Sequence, residues 1–461
     1  MDGVKEPDIT WIEIEAHQAM VQISLQPGLG PLSTRPSDYQ KQSSLAFAVL
    51  NIISLPVELL TEIFIWCLPD GQLFVNPNPL DAPLLLCKVC RLWRLVALNT
   101  PELWQSLLVV RPGANDPRFL ELCRLWISRA TTYPLSVRLN ISDRGNPDAL
   151  FRTIADLAPQ WRNMDLGQYV SILPKLVPQE ASFPALERLA ITANDRHPCS
   201  FLDAPKLREL PWSQLTTFMA DFIDLDRCMA VLSETPNLVD CTVVLSGNSP
   251  AGIPIPPLLH LRSLTISLSF SVSPEDIYTT LLDGLTAPAL QHLTLRYGRN
   301  QFFETPTLLS FIARSAAPLQ TLALSSLPAD LMDCLQRTPS LTQLRIDLRP
   351  DADRAAFFTM LQGRSKEFLP CLESLRVVLS GVSEPVMIGG AILEMLVSRW
   401  EGTAVAKLRA FQLVHEQTPA ALDEVGSLTE RSEYRRLKAD GMELFVGSHG
   451  AFVEAFTEPI I

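Results

Sequence analysis

Nine segments of this chain place apolar residues, mostly leucines, at positions i, i+3 and i+5. They are PALERLAI (184–191), PKLRELPW (205–212), PNLVDCTV (236–243), LHLRSLTI (259–266), PALQHLTL (288–295), PLQTLAL (318–324), PSLTQLRI (339–346), PCLESLRV (370–377) and AKLRAFQL (406–413). Their first leucines are 186, 207, 238, 261, 290, 319, 341, 372 and 408, so the intervals run from 21 residues (186 to 207) to 36 (372 to 408). An irregular period of this size marks a stacked array, because one such unit cannot bury its own apolar face.

The second and third apolar positions of the phrase lie two apart, on one face of a short strand. Most copies carry Pro two residues before the first leucine, at 184, 205, 236, 288, 339 and 370, which ends a helix and starts extended chain. The intervening segments read as helices: 273–285, with Ser273 as N-cap and Pro274 at the first helical position, then 305–316, 328–338 and 350–362. WRNMDL (161–166) and PLSVRLNI (134–141) extend the array backward, and ILEMLVSRWEG (392–402) with LKADGMELFVGS (437–448) supplies a last helix and then a Gly-initiated capping strand. The fold class is therefore α/β. The phrase is the strand signature of leucine-rich repeats, and residues 117–461 are expected to form an irregular solenoid of that kind, a horseshoe with parallel strands, helical crossovers and an open concave strand face.

A compact α/β enzyme would show similar helix–strand alternation, but it would also need a phosphate loop or a catalytic cluster. Neither SGVSEPVMIGG (380–390) nor GSHGAF (447–452) matches a nucleophile elbow, a dinucleotide fingerprint or a Walker loop. The six His are isolated from one another, and the single Cys-x-x-Cys pair, Cys87 and Cys90, has no second pair at zinc spacing. It reads as the face of a buried helix. The carboxylates of DFIDLD (221–226) and PDAD (350–353) read as helix-starting turns rather than a cation site. No catalytic residue, metal or cofactor is expected.

With 38 Lys and Arg against 50 Asp and Glu, a net charge of −12 repels nucleic acid and anionic membrane. The apolar run 45–57 is too short to span a bilayer, and nine Cys scattered over 461 residues suit reduced thiols, so a cytoplasmic or nuclear location is expected. Residues 1–45, rich in Pro, Gly, Ser and Gln, read as a disordered lead-in.

Before the repeats stand Leu55-Pro56-x-Glu58-Leu59, Ile63-Phe64, VCRLWR (89–94) and TPELWQSL (100–107). In order, spacing and residue type, residues 53–110 resemble the F-box, a small helical unit. The downstream LCRLWISRA, WRNMDL and FPALERL look like the F-box proteins of mushroom-forming fungi. Leu55, Leu59 and Ile63 give the first helix an apolar stripe, one side of which can pack on Val89, Leu92, Trp93 and Trp104 while Leu55, Pro56 and Phe64 remain for a partner. The Pro- and Asn-rich insertion 69–83 is expected to be a surface loop.

The resemblance implies that Leu55, Pro56, Glu58, Leu59, Ile63, Phe64, Val89, Cys90 and Trp93 dock a Skp-type adaptor carrying a cullin–RING scaffold. The repeats would then hold a protein target for ubiquitination by other subunits. That function, substrate receptor of an SCF-type ubiquitin ligase, needs no chemistry in this chain. The alternative is a non-catalytic scaffold whose F-box helices serve as a structural cap or bind another partner. On the open strand face, the residues alternating with the buried leucines include His292, Thr294, Arg296, Gln343, Arg345, Asp347, Ser374 and Arg376. Arginines outnumber carboxylates there, so an acidic or phosphorylated target is expected.

Overall fold

The computed structural model describes residues 55–69, 73–110, 117–140, 157–167, 183–191, 210–246, 253–269, 274–296, 305–324, 331–348, 354–362, 368–379, 388–403, 405–415 and 428–448. The lead-in 1–45, Ser273 and the PDAD carboxylates lie outside them.

One 13-stranded sheet runs through the chain with its strands in sequence order: β1 (Ser106–Val110), β2 (Leu135–Asn140), β3 (Trp161–Asp165), β4 (Arg188–Ile191), β5 (Thr217–Asp224), β6 (Asp240–Ser246), β7 (Ser263–Leu268), β8 (His292–Arg296), β9 (Thr321–Leu324), β10 (Gln343–Leu348), β11 (Ser374–Leu379), β12 (Ala410–His415) and β13 (Glu443–Ser448). The pairings from β2 to β13 are parallel. Helices α1 (Val57–Trp66), α2 (Leu86–Val89) and α3 (Arg91–Leu98) precede the sheet, and α4 (Pro117–Ala130) follows β1. The returns between later strands carry α5 (Leu225–Glu234), α6 (Pro274–Gly284), α7 (Thr305–Ser315), α8 (Leu331–Gln336), α9 (Arg354–Met360), α10 (Gly389–Glu401) and α11 (Ser432–Ala439). A long parallel sheet with helical returns, ordered as the chain runs, is compatible with the solenoid that the repeated phrase predicts.

The register explains the phrase. Leu264, Leu293, Leu322, Leu344, Leu375 and Phe411 are successive lateral partners from β7 to β12, as are Ile266, Leu295, Leu324, Ile346, Val377 and Leu413 two residues on. All twelve are at most 2% exposed. The first leucine of the copies whose first leucine is described, such as Leu290 or Leu341, is buried at the turn just before its strand. Each buried leucine contributes about 1.5–3 kcal/mol by leaving water, so the two ladders form one continuous core.

Arginines tie helices of the returns to the element that precedes them. In α7, Arg314 donates from Nε to the Leu285 carbonyl at 3.0 Å, and in α9, Arg354 donates from Nη2 to the Leu348 carbonyl at 3.1 Å. Arg314 thus serves the C-terminal end of α6, where helix carbonyls lack intrahelical donors, and Arg354 fastens α9 to the end of β10.

Three expectations change. PKLRELPW is not a strand at its described residues 210–212. The chain makes a 3-10 turn at Trp212–Gln214 instead, and the strand follows as β5, whose phrase is Leu215, Phe218 and Ala220. Pro211 cannot donate to a ladder, and with Phe218 and Ala220 in the second and third positions Leu215 is the one leucine of the copy. Residues 106–110, expected to close the helical unit, are β1; Leu107 and Val109 alternate inward as a strand requires. The 69–83 insertion is not wholly a surface loop. Phe74 and Val75 are buried, and Val75 donates to Ser106 Oγ at 2.9 Å and accepts from Leu108 N at 2.7 Å.

The chain divides into two compact units. The described residues up to Leu108, with Leu122–Tyr133, make one; Val109–Glu121 and the described residues from Pro134 onward make the other.

Candidate functional site

In the first unit, α1 buries Leu60 and Phe64, four residues apart, and exposes Leu59, Ile63 and Trp66 at i, i+4 and i+7. Leu59 is 51% exposed, Ile63 36% and Trp66 79%. A surface helix usually turns such a stripe inward, so this one carries two apolar faces where a single core needs one.

The other residues expected at an adaptor interface distribute unevenly. Pro56 and Glu58 are exposed and Leu55 partly so; Val89 is exposed, and Cys90 and Trp93 are partly buried. Phe64 is not available to a partner. It is fully buried, its ring centroid 4.9 Å from that of Trp93, because the i, i+4 pair with Leu60 is what holds α1 onto α3. Val89, expected to cover α1 from within, instead faces solvent. Cys90 serves the local structure: at the N-cap of α3, its Sγ accepts from Trp93 N at 3.4 Å. Burial raises the pKa of its neighbour Cys87, as suits a packed thiol rather than a reactive one.

Sequence spacing could have identified Trp66, since it continues the Leu59–Ile63 face by one turn. Trp104 is anchored by a residue beyond the expected unit. Its ring meets Trp126 of α4 edge-on at 4.9 Å, the Arg129 guanidinium lies 4.5 Å from its centroid, and its indole N–H donates to Ala97 O at 2.8 Å.

In the second unit, the outer face of the sheet holds all eight residues expected to meet a target. His292, Thr294 and Arg296 stand on β8, Gln343, Arg345 and Asp347 on β10, and Ser374 and Arg376 on β11; all are exposed or partly exposed. Gln343 pairs laterally with Ser374 and Arg345 with Arg376. One strand, β9, separates them from β8 and contributes the small side chains of Thr321 and Ala323. Arg376 Nε donates to Gln412 Oε1 at 2.7 Å, which orients its guanidinium along the face.

Toward the other end of the same face the charges change. Asp165 is buried and accepts from Arg138 Nε at 2.6 Å. Burial first, then the Asp165 carboxylate, pushes the Asp221 carboxyl up to about 6. Asp221 lies where the β5–β6 register shifts, next to Phe222, whose φ of +55° is in the left-handed region. Asp224 holds the N-cap position of α5, yet its carboxylate makes no cap hydrogen bond and instead lies 3.1 Å from Arg227 Nη1.

A pocket of about 450 Å³ opens at the starts of β11–β13, beside Trp400, Lys407, Arg409, Glu373 and Glu443. Arg409 faces Glu373 at 3.7 Å and Lys407 sits 5.2 Å from the Trp400 ring centroid, so its cations are matched within the pocket. Among the described residues, no group of three or more His, Cys, Asp or Glu could hold a metal ion, and no helix is long and apolar enough to cross a membrane. No family model matches the chain, and no curated protein matches it.

Proposed function

We propose that this chain is a non-catalytic protein-binding receptor: its N-terminal helices dock a Skp-type adaptor as an F-box does, and its repeat sheet holds a protein target for ubiquitination by the attached cullin–RING subunits. The observation that carries the proposal is the second apolar face of α1, formed by Leu59, Ile63 and Trp66. A face of this kind loses its cost to water when a partner helix covers it. Leu55, Pro56 and Glu58 adjoin it in sequence, and with Val89 and Cys90 they complete the resemblance. The outer face of the sheet supports the second half, since it presents polar side chains from many strands on one continuous surface.

The test is recovery of a Skp-type adaptor with the full chain. Leu59→Asp with Trp66→Asp should cut recovery at least tenfold and leave the melting temperature unchanged, because neither side chain is part of the core. Equal recovery from both proteins overturns the proposal. It would favour the second reading, a structural cap, which has its own support: residues 106–110 form the first strand of the sheet.

A further inference from the structure

One lateral row of the outer face combines two kinds of recognition chemistry. Arg345 on β10 pairs with Arg376 on β11, Arg376 with Gln412 on β12, and Gln412 with Phe445 on β13. The row thus reads guanidinium, guanidinium, amide, phenyl, and all four side chains are partly exposed. Two cations on laterally paired positions repel each other, which costs stability unless negative charge lies nearby. Asp347 supplies one such charge from the neighbouring row, beside Val378. Gln412 holds the plane of Arg376 through its Nε hydrogen bond of 2.7 Å. The Phe445 ring lies over Gly447, where an added Cβ would come within 3.0 Å of the ring. The absent side chain leaves room for the tip of the phenyl ring.

We infer that this row recognises an extended protein segment that places an anionic side chain on Arg345 and Arg376 and an apolar side chain on Phe445. The inference rests on the proposal that the outer face is the capture surface, and it names the chemistry of what is captured. The spacing follows from the sheet. Neighbouring strands lie about 4.8 Å apart, so a group held between β10 and β11 is roughly 12 Å from β13, which an extended chain at about 3.3 Å per residue spans in about four residues, an even step that keeps both side chains on the same face. The segment crosses the strands and carries its anionic and apolar residues about four positions apart. Guanidinium pairs suit either a carboxylate or a phosphoryl group, because both accept two parallel hydrogen bonds.

The test is selection of a displayed library of random twelve-residue peptides on the full chain. Enriched peptides should carry Asp or Glu four positions from Leu, Ile, Met or Phe. One enriched peptide is then synthesised with Glu, phosphoserine or Gln at the anionic position. The Gln form should bind at least tenfold more weakly, and the stronger of the other two identifies the anion. Arg345→Gln with Arg376→Gln, its fold checked by circular dichroism, should weaken the Glu peptide at least tenfold and flatten its salt dependence. Phe445→Ala should relax the apolar preference alone. Enriched peptides that need the two arginines but lack the spacing overturn this inference and leave the capture surface standing. Failure to enrich peptides, or binding indifferent to all three substitutions, overturns both.

Discussion

Arg399 donates from Nε to the carbonyl of Leu361 at 2.7 Å, across two consecutive returns of the array. The same guanidinium reaches Leu369 O at 2.8 Å and Phe368 O at 3.1 Å, and the residue is 1% exposed. Burial lowers its pKa to about 10, still far above neutral pH, so it is a charged clamp on three carbonyls. Arg399→Met keeps an apolar stem of similar shape and removes every donor. Leaving buried acceptors without partners costs about 1–3 kcal/mol each, so the variant should lose at least about 3 kcal/mol in urea unfolding. A loss below about 1 kcal/mol would show that water replaces the clamp.

The alternation of the strands has a direct check at neighbouring positions. Leu293 is fully buried and Thr294, on the other face of β8, is partly exposed. Leu293→Ala should cost about 2–5 kcal/mol and Thr294→Ala less than about 0.5 kcal/mol. Equal costs would mean that β8 sits in the wrong register.

Phe64 separates folding from docking in the N-terminal unit. Since its ring is buried on Trp93, Phe64→Ala should destabilise the unit by about 3–5 kcal/mol, measured by thermal unfolding followed through tryptophan fluorescence. Trp66→Ala should leave that transition in place, because Trp66 is 79% exposed. A reversed order would place the docking face on the other side of α1.

Asp221 predicts a pH dependence. Its carboxyl is raised from 3.8 to about 6 in the folded chain, by burial and by Asp165. A raised folded pKa means that the native state binds the proton more tightly, so this contribution is full below the unfolded value and is lost as pH rises through about 6. Asp221→Asn keeps the neutral form at every pH. Its stability relative to wild type should therefore improve between pH 5.5 and pH 7.5, read as the difference in urea midpoints. A constant difference would mean that Asp221 titrates as an exposed carboxylate does.

Much of the fold was legible before any coordinate. Leu290, Leu293 and Leu295 already state a turn, an inward residue and a second inward residue, because strand geometry has a period of two and proline marks where helices stop. The same rule placed the outer-face residues from His292 to Arg376, since a residue between two buried leucines must point the other way. Where a copy kept one leucine, as Leu215 with Phe218 and Ala220, the rule still operated and only the spelling concealed it.

Tertiary structure decided what local period could not. Two apolar stripes on α1 look alike in sequence, and only packing against Trp93 selected Leu60 and Phe64 as core and left Leu59, Ile63 and Trp66 in water. Spacing along one strand is likewise silent about which strand lies beside it. The pairing of Arg345 with Arg376, and the line from there to Gln412 and Phe445, arises only when returns of unequal length bring β10–β13 into register. The alternation along a strand is set by backbone geometry and can be read residue by residue, whereas lateral neighbours are set by loop closure and packing, which depend on the whole chain.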